Sequence, residues 1–186
     1  MKSKYFSVNS HIQNLISNIY YQNLVLLRNL VEKGCDQYFS SYKAPKVDLY
    51  LISCSITSPL GLGSDSKPIK FKLDDKIFCL ADSSQFGMEP LVINFFDMVY
   101  CYLPSFRGEN PDDRHLNQFY HCEAELRGEY TKAMEIAENL VKFLLNIIIN
   151  SYNNKEIYFK ELTCLDKLIS ITKNDFPKIS FDKAIS

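Results

Sequence analysis

Apolar positions along the chain change period several times, and each change marks an element. Ile12, Leu15, Ile16, Ile19, Leu24, Leu27, Leu30 and Val31 recur at three- and four-residue steps, so residues 10–40 read as one long helix. Asn9 or Ser10 suits its start, Gly34 weakens it near its end, and Ser41-Tyr42-Lys43-Ala44-Pro45 breaks it. Val47 to Cys54 reads as a strand, followed by a turn-rich loop from Ser58 to Asp65. Ile69–Leu73 and Ile77–Leu80 are short strands joined across Asp74-Asp75-Lys76. Ser83 to Phe96 reads as a helix in which Pro90 is tolerable only in the first turn or two. Met98 to Phe106 is apolar and aromatic, Arg107 to Arg114 is a charged loop, and Leu116 to Arg127 returns as a strand.

Beyond residue 128 the period is helical again. Ala133, Ile136, Ala137, Leu140, Val141, Leu144 and Ile148 form one face of a helix over 130–151. A short strand near Ile157-Tyr158-Phe159 and a helix from Leu165 to Ile171 complete the tail. The order of elements predicts an α+β fold, an antiparallel sheet flanked by helices.

Composition narrows the function classes. A net charge of -1 argues against nucleic-acid binding by bulk electrostatics and leaves only a local patch for such contacts. The 46% hydrophobic content permits a sizeable core, and 12 Tyr and 13 Phe without Trp give it an aromatic character. None of the six cysteines forms a CxxC pair, so a zinc ribbon or thioredoxin-type site is not expected, and no metal ligands are assigned, Asp112-Asp113 serving to cap or solvate the loop. The stretch after Met1-Lys2-Ser3-Lys4-Tyr5 is polar, so no signal peptide is expected. Buried reduced thiols in a cytoplasmic protein are the expectation. No apolar run reaches about 18 residues, so no membrane association is expected.

The chemistry concentrates between Leu103 and Phe119. A strand delivers Arg107, whose guanidinium suits a phosphate oxygen, and Phe119 on the returning strand offers a flat face for a purine. Arg114 and His115 stand on the loop, within reach of outer phosphates. The same residues also fit plainer roles: Arg107 and Glu109 as a surface ion pair, Phe119 as a core aromatic. His121 and Glu123 alternate with Cys122 and share one face, which suits the lining of a polar pocket.

Phe106-Arg107-Gly108-Glu109, the loop, and Arg114-His115-Leu116-Asn117-Gln118-Phe119 together resemble motif 2 of the class II aminoacyl-tRNA synthetases. Ser55-Ile56-Thr57-Ser58-Pro59-Leu60-Gly61 with the preceding helix resembles motif 1 of that family, and its wording is closest to the asparaginyl-tRNA synthetase branch and the archaeal asparagine synthetase relative. Leu80-Ala81-Asp82-Ser83-Ser84-Gln85 resembles the amino-acid-binding segment of the aspartate/asparagine/lysine subgroup, and Phe176-Pro177-Lys178-Ile179 through Ala184-Ile185 resembles another of its segments.

The resemblance implies a catalytic domain in three stretches: 10–65 with the motif 1-like helix, strand and loop, 67–127 with the sheet and motif 2-like hairpin, and 128–186 with a helix and extension. It implies ATP and Mg²⁺ as cofactors. Arg107 would contact the α-phosphate and act in catalysis, and Glu109 would face adenine or the tRNA acceptor end. Phe119 would stack on adenine, and Arg114 or His115 would stand near the γ-phosphate. Asp82, Ser83, Gln85, His121 and Glu123 would bind the amino acid, Glu123 through its ammonium.

Two departures stand out: Asp82 replaces a Gln, and Met88 stands where aspartate-handling members often carry Lys, so an acidic substrate would lose a partner. No Gly-rich segment ending in Arg, the family's motif 3, occurs in the 186 residues. A sheet incomplete at its C-terminal side is therefore expected, with either a homodimer through the motif 1-like helix or a second chain supplying motif 3. The implied function is amino-acid activation by ATP with transfer to tRNA. The alternatives are a non-catalytic, dimerising or regulatory paralogue and a tRNA-independent ligase that amidates a free amino acid.

Overall fold

The computed structural model describes residues 11–57, 67–112, 115–158 and 164–185. The described chain divides into two compact units, one formed by residues up to 17 with 35–128, the other by 18–34 with 129–186.

Where one helix was expected over 10–40 there are two, α1 (His11–Ser17) and α2 (Ile19–Ser41). Asn18 makes the break. Its side-chain Oδ1 accepts the Tyr20 N–H at 3.0 Å and its carbonyl accepts the Tyr21 N–H at 3.0 Å, so it caps α2 from within the periodic pattern. The caps expected at Asn9 and Ser10 lie outside the described residues. α2 runs through Gly34 to Ser41.

In the first unit the stretch read as a strand over 47–54 yields only β1 (Ile52–Ser53). Its backbone is shared between two partners: Val47 N–H donates to the Tyr100 carbonyl at 2.9 Å, while the Leu51 carbonyl accepts the Ala81 N–H at 2.8 Å. β2 (Lys70–Leu73) and β3 (Lys76–Leu80) form the expected hairpin, and β1 pairs with β3 in the order β1-β3-β2. Asp74 takes the left-handed conformation at the turn, with φ of 52°, where a short polar side chain replaces the usual glycine. α3 (Gln85–Asn94) holds Pro90 in its second turn, and Arg127 donates to the Val92 carbonyl at 2.6 Å at the helix end. β4 (Met98–Phe106) and β5 (Gln118–Leu126) pair antiparallel along their whole length.

The core of this unit lies between α3 and one face of β4. Met88 and Val92 pack on Val99 and Cys101, with Val47, Leu49, Leu91 and Leu103 around them. On the other face of β4, Phe39 of α2 stacks on Tyr100 with ring centroids 4.7 Å apart, and the Tyr100 hydroxyl donates to Asp36 at 3.0 Å. All six cysteines are free thiols.

The second unit is helical: residues 19–34 of α2, α4 (Tyr130–Asn153), α5 (Leu165–Lys173) and α6 (Phe181–Ile185). A Cβ on Gly34 would stand 2.6 Å from Leu144 Cδ2, so the glycine lets α4 approach α2 closely. Asn23 Oδ1 accepts the Tyr158 N–H at 2.7 Å, which holds the segment after α4 against α2. The strand expected near 157–159 is absent at Ile157 and Tyr158, and Phe159 lies outside the described residues. Glu138 accepts from Lys142 at 2.7 Å and from the Phe176 N–H at 3.0 Å, and so pins the segment entering α6.

Candidate active site

The register of β4 with β5 assembles the site. Cys101 faces Glu123, Leu103 faces His121, and Ser105 faces Phe119. Side chains alternate along each strand, so Ser105, Phe119, His121, Glu123 and Glu125 share one face. α3 covers the end of that face around Val99 and Cys101. The pairing continues one step further, since Arg107 N–H donates to the Asn117 carbonyl at 2.9 Å, which brings Arg107 onto the same face.

The connecting loop is held by its own backbone. Asn117 Nδ2 donates to the carbonyls of Arg107 and Glu109 at 2.8 and 2.6 Å. Gly108 N–H donates to the Lys67 carbonyl at 2.7 Å, and Glu109 Oε1 accepts the Lys67 N–H at 2.8 Å. Asp112 and His115 clasp each other at 2.9 Å. Between hairpin and loop lies a cavity of about 710 Å³ whose lining includes Arg107, Glu109, Asp112, His115 and Phe119. The Arg107 guanidinium carbon stands 5.9 Å from the Phe119 ring centroid. The cation thus lies over the aromatic face, and both line a cavity whose chemistry suits a nucleotide.

Arg107 is aimed by a buried acid. Phe106 N–H donates to the Ala81 carbonyl at 3.0 Å, which sets Asp82 beside Arg107. Asp82 Oδ2 accepts from Arg107 Nη1 at 3.1 Å, and the same carboxylate accepts the N–H and hydroxyl of Thr57, each at 2.8 Å. Its side chain is 3% exposed and that of Arg107 25%, so a buried carboxylate anchors a guanidinium that lines the cavity.

Next to the cavity is a second polar cluster. Glu123 accepts from the Ser83 hydroxyl at 2.5 Å, the Ser84 N–H at 3.0 Å and His121 Nδ1 at 3.0 Å. Burial pushes its carboxyl up, but the His121, Ser83 and Ser84 donors outweigh burial and hold it below the ordinary carboxylate range. Glu125 shows the opposite: burial, then the nearby Glu89 and Glu123 charges, push it up.

The comparisons follow this geometry. A family model described as tRNA synthetases class II (D, K and N) matches residues 52–186, which include the hairpin, the cavity and both carboxylate clusters. The chain belongs to that family. The chain is 30% identical over 111 residues to an asparagine–tRNA ligase of Clostridium botulinum (strain Langeland), which covers 57% of the chain and 24% of the relative. It is 26% identical over 162 residues to an aspartate–tRNA(Asp) ligase of Pyrococcus furiosus, covering 86% of the chain and 34% of the relative. The crystal structure of asparaginyl-tRNA synthetase from Pyrococcus horikoshii complexed with asparaginyl-adenylate superposes with a TM-score of 0.73 at 23% identity, covering 88% of this chain and 36% of that one. The chain thus spans between a quarter and just over a third of the length of these relatives.

In this synthetase domain the residues singled out from sequence fall into two groups. Arg107, Glu109, His115 and Phe119 surround the cavity. Ser83, His121 and Glu123 are hydrogen-bonded together beside it. Asp82, expected to face the amino acid, turns to Arg107 and Thr57, and Gln85 donates to Glu89 at 2.7 Å. Arg114 lies outside the described residues. Met88 is fully buried in the core. Sequence reasoning missed Ser105, Thr57 and Glu125. Ser105 carried a usable signal, a lone hydroxyl on the inward-facing positions of an apolar strand. Among the described residues no group of three or more His, Cys, Asp or Glu is placed to hold a metal ion.

Proposed function

We propose that this domain binds ATP and activates an amino acid as its adenylate for transfer to tRNA. The observation that carries the reading is the cavity lined by the anchored Arg107 and the Phe119 ring. In this reading the Phe119 face stacks on adenine and Arg107 donates to the α-phosphate. An oxygen of the amino-acid carboxylate attacks the α-phosphorus, the bond to the bridging oxygen breaks, and pyrophosphate leaves. Arg107 is held ready by Asp82, so charge developing on the α-phosphate meets a donor that needs no reorientation. Mg²⁺ would enter with the triphosphate and neutralise phosphate charge, with Asp112 the nearby carboxylate of the cavity wall.

The carboxylates beside the cavity favour a neutral side chain. Glu123, Glu125 and Glu89 give this strip negative charge, and Met88 supplies no cation. An aspartate side chain would be repelled there, whereas the carboxamide of asparagine can donate to a carboxylate. Asparagine is therefore the favoured substrate of this reading, with the tRNA acceptor end as second partner. The exposed Val25 and Leu26 of α2 fit association of two copies through that helix.

Isothermal titration with ATP tests the reading. Wild-type protein is expected to bind ATP, and Arg107→Ala to weaken binding by at least about tenfold. Equal affinity of the two proteins, or no ATP binding by wild type, overturns it. Pyrophosphate exchange dependent on asparagine separates activation from nucleotide binding alone.

A further inference from the structure

His121 stands where the two halves of the site meet. Its Nδ1 lies 2.9 Å from Ser105 Oγ and 3.0 Å from Glu123 Oε1, and its ring meets Phe119 edge-on with centroids 4.7 Å apart. Ser105 is buried, at 1% exposure. One imidazole therefore touches the aromatic face of the cavity, a buried hydroxyl and the carboxylate of the second cluster.

The chemistry of that single nitrogen is restrictive. An ionised carboxylate oxygen only accepts, so the contact with Glu123 requires Nδ1 to carry its proton. With Nδ1–H in place the bond runs from His121 to Glu123, and Ser105 Oγ takes a share of the same proton. An aliphatic side chain at 121 would pack on Leu103, its partner across the strands, but would leave Glu123 Oε1 one donor short and Ser105 Oγ without this partner.

We propose that His121 is a positioning residue: its Nδ1–H, braced by Ser105 and by the Phe119 ring, fixes the Glu123 carboxylate in the orientation that receives a substrate ammonium. The proposal rests on the functional reading above and adds to it a residue that acts through another. The remaining donors to Glu123, Ser83 Oγ and Ser84 N–H, come from the residues that lead into α3 and hold the carboxylate from that side. His121 supplies the hold from β5, the strand that also carries Phe119. Glu125 and Glu89 are the other carboxylates near this strip.

Two readouts test it on the full chain. The first needs no ligand. Nitrogen-15 NMR of His121 is expected to show Nδ1 protonated at neutral pH, and carbon-13 NMR is expected to show Glu123 titrating at higher pH in His121→Phe than in wild type. The second is a binding split. His121→Phe is expected to weaken L-asparagine binding by about tenfold while leaving ATP affinity within about twofold. His121→Asn, whose Nδ2 reaches the Nδ1 position, is expected to restore most of the asparagine affinity. An Nδ1 without its proton, an unmoved Glu123 titration, or parallel loss of both ligands in His121→Phe overturns the positioning role. Failure of the wild type to bind ATP overturns the functional reading instead, and leaves the NMR result to decide the link between His121 and Glu123.

Discussion

Gly108 donates its N–H to the Lys67 carbonyl at 2.7 Å, and a Cβ on Gly108 would stand 2.9 Å from that same oxygen. The obstacle is backbone, with the Pro68 carbonyl a further neighbour at 3.1 Å, so no side-chain rotation can relieve it. Gly108→Ala is expected to push the loop away from residue 67 and to loosen the Lys67 N–H bond that fixes Glu109. Overpacking of this kind costs about 1–3 kcal/mol. A thermal melt should show a drop of roughly 3–10 °C, and an ATP titration should show weaker binding.

Asp82 anchors Arg107, and its removal takes a buried acceptor from the Arg107 guanidinium and from the N–H and hydroxyl of Thr57. Asp82→Ala is expected to destabilise the protein by about 3–5 kcal/mol, the range for breaking one side of a buried pair. Asp82→Asn keeps an acceptor for Thr57 but loses the charge that steadies Arg107. It should fold with a smaller loss and show reduced ATP affinity, measured by denaturant titration and calorimetry. A normal ATP affinity in Asp82→Asn would remove the anchoring role.

Phe119→Leu keeps an apolar side chain of similar reach but deletes the aromatic plane. Base–aromatic stacking contributes about 1–3 kcal/mol per base, so ATP affinity should fall by about one to two orders of magnitude. Tripolyphosphate, which lacks the base, should bind both proteins alike. Competition of each ligand against a fluorescent ATP analogue separates the two contributions.

Glu125 gives a pH signature. Burial and then the Glu89 and Glu123 charges raise its carboxyl in the folded state. For an acid raised on folding, the folded protein binds the proton more tightly. Stability then falls as pH climbs from the unfolded carboxylate range through the raised folded value. Glu125→Gln should therefore melt at a higher temperature than wild type near neutral pH, with the difference vanishing once the solution is acidic enough to protonate Glu125 in both states. Glu123 runs the other way: its carboxyl is lowered, so its contribution is present above the ordinary carboxylate range and is lost as pH falls through the depressed value.

Much of this molecule can be read from local pattern. The apolar and aromatic run of β4 and its return after a charged loop define the hairpin, and the two-residue period of β5 puts His121 and Glu123 on one face. The stripe of α4 predicts a helix over 130–151, close to the observed Tyr130–Asn153. What escapes is set by contacts distant in sequence or by single hydrogen bonds. The helical period runs through Leu15, Ile16 and Ile19 without a gap, so hydrophobicity alone does not reveal that Asn18 caps a new helix. The 47–54 stretch has the composition of a strand, yet its pairing is divided between Tyr100 and Ala81. Asp82 reads as a substrate ligand because its motif neighbours do, and only a tertiary contact across 25 positions turns it to Arg107.

In the proposed reading, Glu109 would lend the cavity a preference among bases. Its Oε1 is occupied by the Lys67 N–H, but Oε2 is buried with no hydrogen-bond partner among the described residues. An acceptor held in that state costs about 1–3 kcal/mol until a donor arrives. Adenine offers an exocyclic amine there, whereas guanine and hypoxanthine present a carbonyl oxygen that would face a like-charged atom. A buried lone pair that weakens the resting protein would thus discriminate against GTP and ITP.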